Sequence, residues 1–139
     1  MKTLVGLAFL LTLSCASGSI PVASGPVAPE TIDERWSLHV VTVDADGDER
    51  VTRIWIAVLD GDPILRTGES RWWENLQRDP TIRIRLSGTD RVYRAELVTD
   101  PSQQVRIDEV FLEKYGLWER VLFSQERGET HTNYARLRQ

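Results

Sequence analysis

The apolar positions divide the chain into three regions. Leu4 to Leu13 is an apolar run behind Lys2. Residues 16–30 (A-S-G-S-I-P-V-A-S-G-P-V-A-P-E) show no periodicity. Short strand-like and helix-like segments follow from residue 34 onward. Arg35 to Val43, rich in β-branched and aromatic residues, predicts a first strand, and Asp44-Ala45-Asp46-Gly47-Asp48 predicts a turn whose Asp-Gly pair supplies positive φ. Val51 to Leu59 is apolar on both faces and predicts a central strand covered from both sides. Asp60-Gly61-Asp62-Pro63 predicts the next turn, Ile64 to Thr67 a third strand, and Gly68 a break. Ser70 to Arg78 predicts a short helix capped by Ser70, with Trp72, Trp73 and Leu76 inward. Asp79-Pro80 ends it.

Thr81 to Leu86 alternates strictly, with Ile82, Ile84 and Leu86 facing in and Arg83 and Arg85 facing out. Ser87-Gly88-Thr89-Asp90 turns the chain into a hairpin partner, Arg91 to Val98. Asp100 as cap and Pro101 as first residue open the longest helix, on which Ile107, Val110, Phe111 and Tyr115 recur at helical spacing. Gly116 stops it. Leu117 to Phe123 fits neither period, and Thr130 to Leu137 predicts a last strand. The expected fold is α+β over residues 31–139, a mainly antiparallel sheet of about six strands with two helices, whose closure into a barrel removes its open edges.

The N-terminal region changes the picture of where the domain works. Lys2, the apolar run and the small residues Ser14 to Ala16 form the three-part pattern of a secretion signal over residues 1–15. The run is too short to span a bilayer as a mature helix. Cys15 resembles a lipobox cysteine, which predicts lipidation at that residue. Cleavage after Ala16, giving a freely secreted protein, also satisfies the small-x-small rule through Ser14 and Ala16. Residues 16–30 predict a flexible linker, because Gly, Pro, Ser and small side chains bury too little apolar surface to order themselves. The expected location is the cell envelope or periplasm, with the membrane as a partner through Cys15.

Composition narrows the chemistry. The chain of 139 residues is globular in composition, with 41% hydrophobic and 27% charged residues and a net charge of −4, which gives no reason to expect nucleic acid. Its single cysteine excludes an internal disulfide. His39 and His131, the only histidines, are far apart and carry no ligand spacing, so no metal site is expected. Asp44 to Asp48 reads as a turn; its calcium-binding alternative lacks the closing glutamate and flanking helices. No G-x-S-x-G and no thiol lie in the domain, and Ser70, Ser87 and Ser124 sit where caps or turns explain them. The catalytic residues are unknown.

The informative stretch is Ile64 to Pro80, I-L-R-T-G-E-S-R-W-W-E-N-L-Q-R-D-P. A strand ending in Arg66-Thr67 leads to a helix starting at Ser70-Arg71, where hydroxyls, arginines and free backbone N–H groups suit a phosphate. A capped amphipathic helix explains the same residues. The segments I-W-I-A-V-L-D-G-D, L-R-T, W-W-E-N-L-Q-R-D-P, T-I-R-I-R-L, Y-R-A-E-L-V-T-D-P and K-Y-G resemble the split β-barrel family of pyridoxamine-phosphate-oxidase-like and deazaflavin-dependent nitroreductase-like proteins. The resemblance covers most of the mature domain. It implies a split β-barrel, a homodimer, and a phosphate site at Arg66, Thr67, Ser70 and Arg71, with Arg53 to Ile56, and so Trp55, along a flavin ring.

Two departures from the family pattern stand out. The basic loop of many deazaflavin-dependent members is replaced by the acidic Asp44 to Glu49. A frequent lysine at the helix start is Arg71. Two functions follow as expectations. One is an exported reductase that uses FMN or a deazaflavin to pass hydride to a small electron-poor substrate, with Tyr93 or Tyr134 orienting it. The other is a cofactor-free or small-ligand-binding envelope lipoprotein on the same barrel. They differ in whether Arg66, Ser70 and Arg71 converge on an open pocket or pair with carboxylates.

Overall fold

The computed structural model describes residues 18–123 and 132–139. The expected signal with Cys15, and also Ser124 and His131, lie outside the described residues. The elements are β1 (Val22–Ala23), α1 (Pro29–Asp33), β2 (Leu38–Val43), β3 (Glu49–Ile54), β4 (Ala57–Leu59), β5 (Asp62–Thr67), α2 (Arg71–Arg78), β6 (Thr81–Leu86), β7 (Thr89–Leu97), α3 (Pro101–Tyr115), α4 (Leu117–Phe123) and β8 (Asn133–Arg138).

The strands join in the order β3-β2-β6-β7-β8-β5-β4, with every neighbour antiparallel. β3 and β4 stand at opposite ends of that order, yet only Trp55 and Ile56 separate them in the chain. Three peptide steps reach about 10 Å, so the sheet must curl until its ends meet there. The result is a curled antiparallel half-barrel with four short helices. Two hairpins close on residue pairs with both φ values positive, Asp60-Gly61 between β4 and β5 and Ser87-Gly88 between β6 and β7, the backbone twist that a two-residue hairpin favours.

The curl corrects the expectation for Val51 to Leu59. That segment is two strands, not one central strand. β3 is an edge strand whose alternate residues are exposed, Val51 among them. Of these two, only β4 is covered on both faces. Val58 packs with the barrel interior, while Ala57 and Leu59 meet the helical layer.

Two apolar clusters follow from this layering. Inside the curl, Val40, Leu65, Trp73, Leu76, Ile82, Ile84 and Leu137 pack together. On the outer face of β4, β5 and β8, Ile64, Ala57 and Tyr134 pack against Ile107, Phe111 and Tyr115 of α3. Ile64 and Leu65 are adjacent in β5 and fall into different clusters, as strand alternation requires.

Residues 21–30 of the expected linker are joined to the domain. β1 pairs in parallel with β7 at Asp90 and Arg91, on the stretch of β7 that precedes its pairing with β8 at Arg94 to Leu97. The Asp90 N–H donates to the Pro21 carbonyl at 2.9 Å, and the Val27 N–H donates to the Tyr93 hydroxyl at 2.7 Å. Val27 and Ile32 are buried in the inner cluster. The composition of residues 16–30 gives little core, but these two hydrogen bonds and the buried Val27, with Ile32 just beyond, hold the second half down.

Candidate functional site

The strand–turn–helix corner forms where the sequence predicts it. Ser70, in extended conformation, caps α2 by accepting from the Trp73 N–H at 3.4 Å. The Thr67 hydroxyl donates to the Ser70 oxygen at 3.3 Å. Trp72 and Trp73 are buried and meet edge to face at 6.2 Å. The two tryptophans therefore fill the core rather than shield a ring in an open cleft.

Arg71 is exposed and borders a cavity of about 270 Å³ together with Asp44, Asp46, Glu74 and Arg78. Asp44 is fixed there by two hydrogen bonds from Arg50, at 2.8 and 2.7 Å, and one from Asn75 at 2.7 Å. Arg50 foremost, then Asn75, hold its carboxyl down to about 2, against the opposing effect of partial burial; Arg71 adds a weaker attraction. The acidic loop thus faces the helix start, and its negative charge offsets the field of Arg71 that a phosphate would need.

Arg66 points elsewhere. Its side chain is 4% exposed and forms ion pairs with Asp108 of α3, at 2.6 Å, and with the fully buried Glu119 of α4. Its guanidinium lies 4.8 Å over the Phe111 ring. Asp108 also accepts from the Tyr134 hydroxyl at 2.9 Å. Burial, and then the Asp108 carboxylate, push Tyr134 up to about 12. Two of the residues that hold Arg66, Asp108 and Glu119, carry no motif that singles them out in sequence.

The remaining expected residues split. Arg53 is exposed on β3, beside His39 in the sheet register, and donates to Ser37 Oγ at 2.7 Å. Trp55 stacks on Tyr115 with centroids 4.3 Å apart and planes 7° from parallel. Trp36, half-exposed, meets both rings edge-on. The Tyr115 hydroxyl accepts from the Ile56 N–H at 3.0 Å and shares its proton between the Ile56 and Trp36 carbonyls. Lys114 donates to the carbonyls of Ile32 and Ile56; burial lowers its ammonium below the ordinary lysine value, and Asp33 opposes the shift. These bonds pin the break between β3 and β4 to the end of α3. So Thr67, Ser70 and Arg71 share one corner, Trp55 belongs to an aromatic stack on α3, and Arg53 stands apart. Among the described residues no group of three or more His, Cys, Asp or Glu side chains is placed to hold a metal ion.

The family described as "Uncharacterized protein conserved in bacteria (DUF2255)" matches residues 30–133. The chain belongs to that family. No curated protein matches this DUF2255 chain by sequence. Among solved structures it is similar to the conserved hypothetical protein Rv2991 from Mycobacterium tuberculosis, at 23% identity and a TM-score of 0.60 over 78% of this chain and 75% of that one. It is similar to HutZ, the heme storage protein from Vibrio cholerae, at 18% identity and a TM-score of 0.62 over 78% and 84%. A further match is an F420-H2 dependent reductase, FDR-A, at 13% identity and a TM-score of 0.57 over 75% and 95%. These likenesses show the fold alone, a curled antiparallel half-barrel that the DUF2255 domain shares with them.

Proposed function

We propose that this DUF2255 protein is a cofactor-free barrel that binds a small ligand, rather than a flavin enzyme. One observation carries the reading. Arg66, the arginine the resemblance assigns to a cofactor phosphate, is committed to Asp108 and Glu119 with its side chain 4% exposed. Freeing it would leave the buried Glu119 carboxylate without that partner, at a cost of about 3–5 kcal/mol. Arg71 remains at the corner but faces Asp44 and Asp46. The reading includes export by the signal-like residues 1–15, anchorage at Cys15, and assembly as a homodimer in the envelope.

A second reading keeps the reductase, with FMN or a deazaflavin. It is favoured by the half-exposed Trp36 beside the Trp55–Tyr115 stack, an aromatic surface on which a flavin ring can lie, and by the F420-dependent reductase among the structures of like fold. Titrating the protein from residue 16 onward with FMN and separately with a deazaflavin separates the two. Unchanged cofactor fluorescence supports the cofactor-free barrel. Saturable quenching that is lost in Arg71→Ala overturns it in favour of the reductase.

A further inference from the structure

The N-terminal arm does more than dock on the sheet. Between it and the β4–β5 hairpin lies a cavity of about 350 Å³, at the lower end of the range for small-molecule sites. It opens at the hairpin end of β5, whereas Thr67, Ser70 and Arg71 stand at the other end of that strand. Pro26, Pro29, Pro63 and Leu137 supply apolar walls, and the three pyrrolidine rings fix the backbone around them. One carboxylate, Asp62, and no lysine or arginine lines it. Asp62 is engaged by Arg136 at 3.2 Å and by Arg138. The cavity therefore offers no cationic group to a phosphate or other anion.

Its polar side chains are Asp62, Gln139 and Tyr93. Asp62 is held by the two arginines and the Gln139 amide donates to the Val92 carbonyl at 3.0 Å, which leaves Tyr93 as the buried donor. Tyr93 is 3% exposed and lines the cavity together with Val27. The Tyr93 oxygen accepts from the Val27 N–H at 2.7 Å. The hydroxyl proton has no acceptor among the described residues. Burial keeps it on the oxygen, since Tyr93 titrates above the ordinary tyrosine value. A buried donor without an acceptor costs about 1–3 kcal/mol, and a bound acceptor would recover it.

We infer that this cavity is the ligand site of the barrel and takes an uncharged, mainly apolar molecule about the size of a substituted benzene, bearing one hydrogen-bond acceptor that Tyr93 O–H meets. The inference rests on the small-ligand reading above and gives it a place. Ligand occupancy would also hold the N-terminal arm against the barrel, because Pro26 to Pro29 form one wall.

The test uses the mature chain and two fluorinated probes followed by fluorine NMR. 4-Fluoroacetophenone carries a carbonyl, and 1-ethyl-4-fluorobenzene has the same shape without it. The expected result is saturable binding of the ketone and weaker binding of the hydrocarbon. Tyr93→Phe should weaken the ketone about fivefold, the value of one hydrogen bond, and leave the hydrocarbon unchanged. Tyr93→Phe also removes the acceptor of the Val27 N–H, so a second variant is needed. Ala28→Trp, at an exposed lining position, should fill the cavity and abolish binding of both probes while circular dichroism and thermal unfolding stay at wild type. Absence of saturable ketone binding overturns the inference, as does binding that survives Ala28→Trp or a ketone no more sensitive to Tyr93→Phe than the hydrocarbon. FMN is titrated into the same sample. Saturable FMN uptake that leaves the ketone titration unchanged overturns the cofactor-free reading alone.

Discussion

The guanidinium of Arg66 on β5 donates to the carboxylate of Glu119 on α4, a side chain with none of its surface exposed. Asp108 of α3 takes the other nitrogen, so one arginine ties two helices to the sheet. Removing Glu119 leaves the buried Arg66 guanidinium with one carboxylate fewer, Asp108 remaining. Glu119→Ala should therefore lower stability by about 1–3 kcal/mol. The double variant Arg66→Met, Glu119→Leu should recover most of that loss, since Asp108 is partly solvated. Urea unfolding midpoints decide the matter. A single variant within ~0.5 kcal/mol of wild type would mean that the pair holds nothing in place.

Asp44 makes the acidic loop pH-sensitive. Its folded-state value is depressed to about 2, by Arg50 first and then Asn75. A depressed carboxyl contributes stability that is present above its unfolded value and lost as pH falls through the folded one. The stability gap between wild type and Asp44→Asn should thus be constant above about pH 5, narrow below pH 4 and close near pH 2. Urea melts across that range measure it. A gap independent of pH would show that the carboxylate charge is not what holds Arg50.

Asn75 explains why the motif that carries the family resemblance is a mark of fold. Its amide donates to Thr42 Oγ1 at 3.0 Å and to Asp44 at 2.7 Å, and its oxygen accepts from Arg78 at 3.0 Å. It is buried, as are the neighbouring Trp73 and Leu76. The motif thus locks α2 onto β2 and the acidic loop. Asn75→Ala should cost about 2 kcal/mol, because it leaves the buried Thr42 hydroxyl without that donor. Asn75→Asp should also destabilise, by setting a second carboxylate against Asp44. Thermal unfolding of both variants tests this; an unperturbed Asn75→Ala would return the motif to the list of ligand-binding candidates.

Much of this fold is legible in sequence because local signals agree with it. The strict alternation of Ile82, Ile84 and Leu86, the Ser70 and Asp100 caps, Pro101 and Gly116 all mark the elements that form. Two features run against the pattern. α4 buries Glu119 and exposes Leu117, Trp118 and Val121, so its hydrophobic period is inverted and reads as neither helix nor strand. The break at Trp55-Ile56 lies inside an apolar run, and the bonds that set it come from Lys114 and Tyr115, some sixty residues away. The expected site shows the same limit. Thr67, Ser70 and Arg71 are local in sequence and share one corner, whereas the fate of Arg66 depends on Asp108 and Glu119, which only the packing of α3 and α4 brings near it.

The three tyrosines of the chain are Tyr93, Tyr115 and Tyr134, and burial raises all of them, Tyr115 and Tyr134 to about 12. For an acid whose folded value is raised, the neutral form is the one the fold favours. Its stabilising share is complete below the unfolded value near 10 and is lost as pH rises through the folded value. Two observations should follow. Tyr115 and Tyr134 should contribute almost no tyrosinate absorbance to the folded protein at about pH 10.5, and stability should fall steeply between about pH 10 and 12. Tyr115→Phe separates the contributions. It removes the acceptor of the buried Ile56 N–H and should cost about 1–3 kcal/mol at neutral pH, yet its alkaline fall should be shallower than that of wild type. Tyrosinate signal from more than one residue near pH 10 while circular dichroism remains native would place Tyr115 or Tyr134 in water, and the hydrogen bonds of that residue would have to be redrawn.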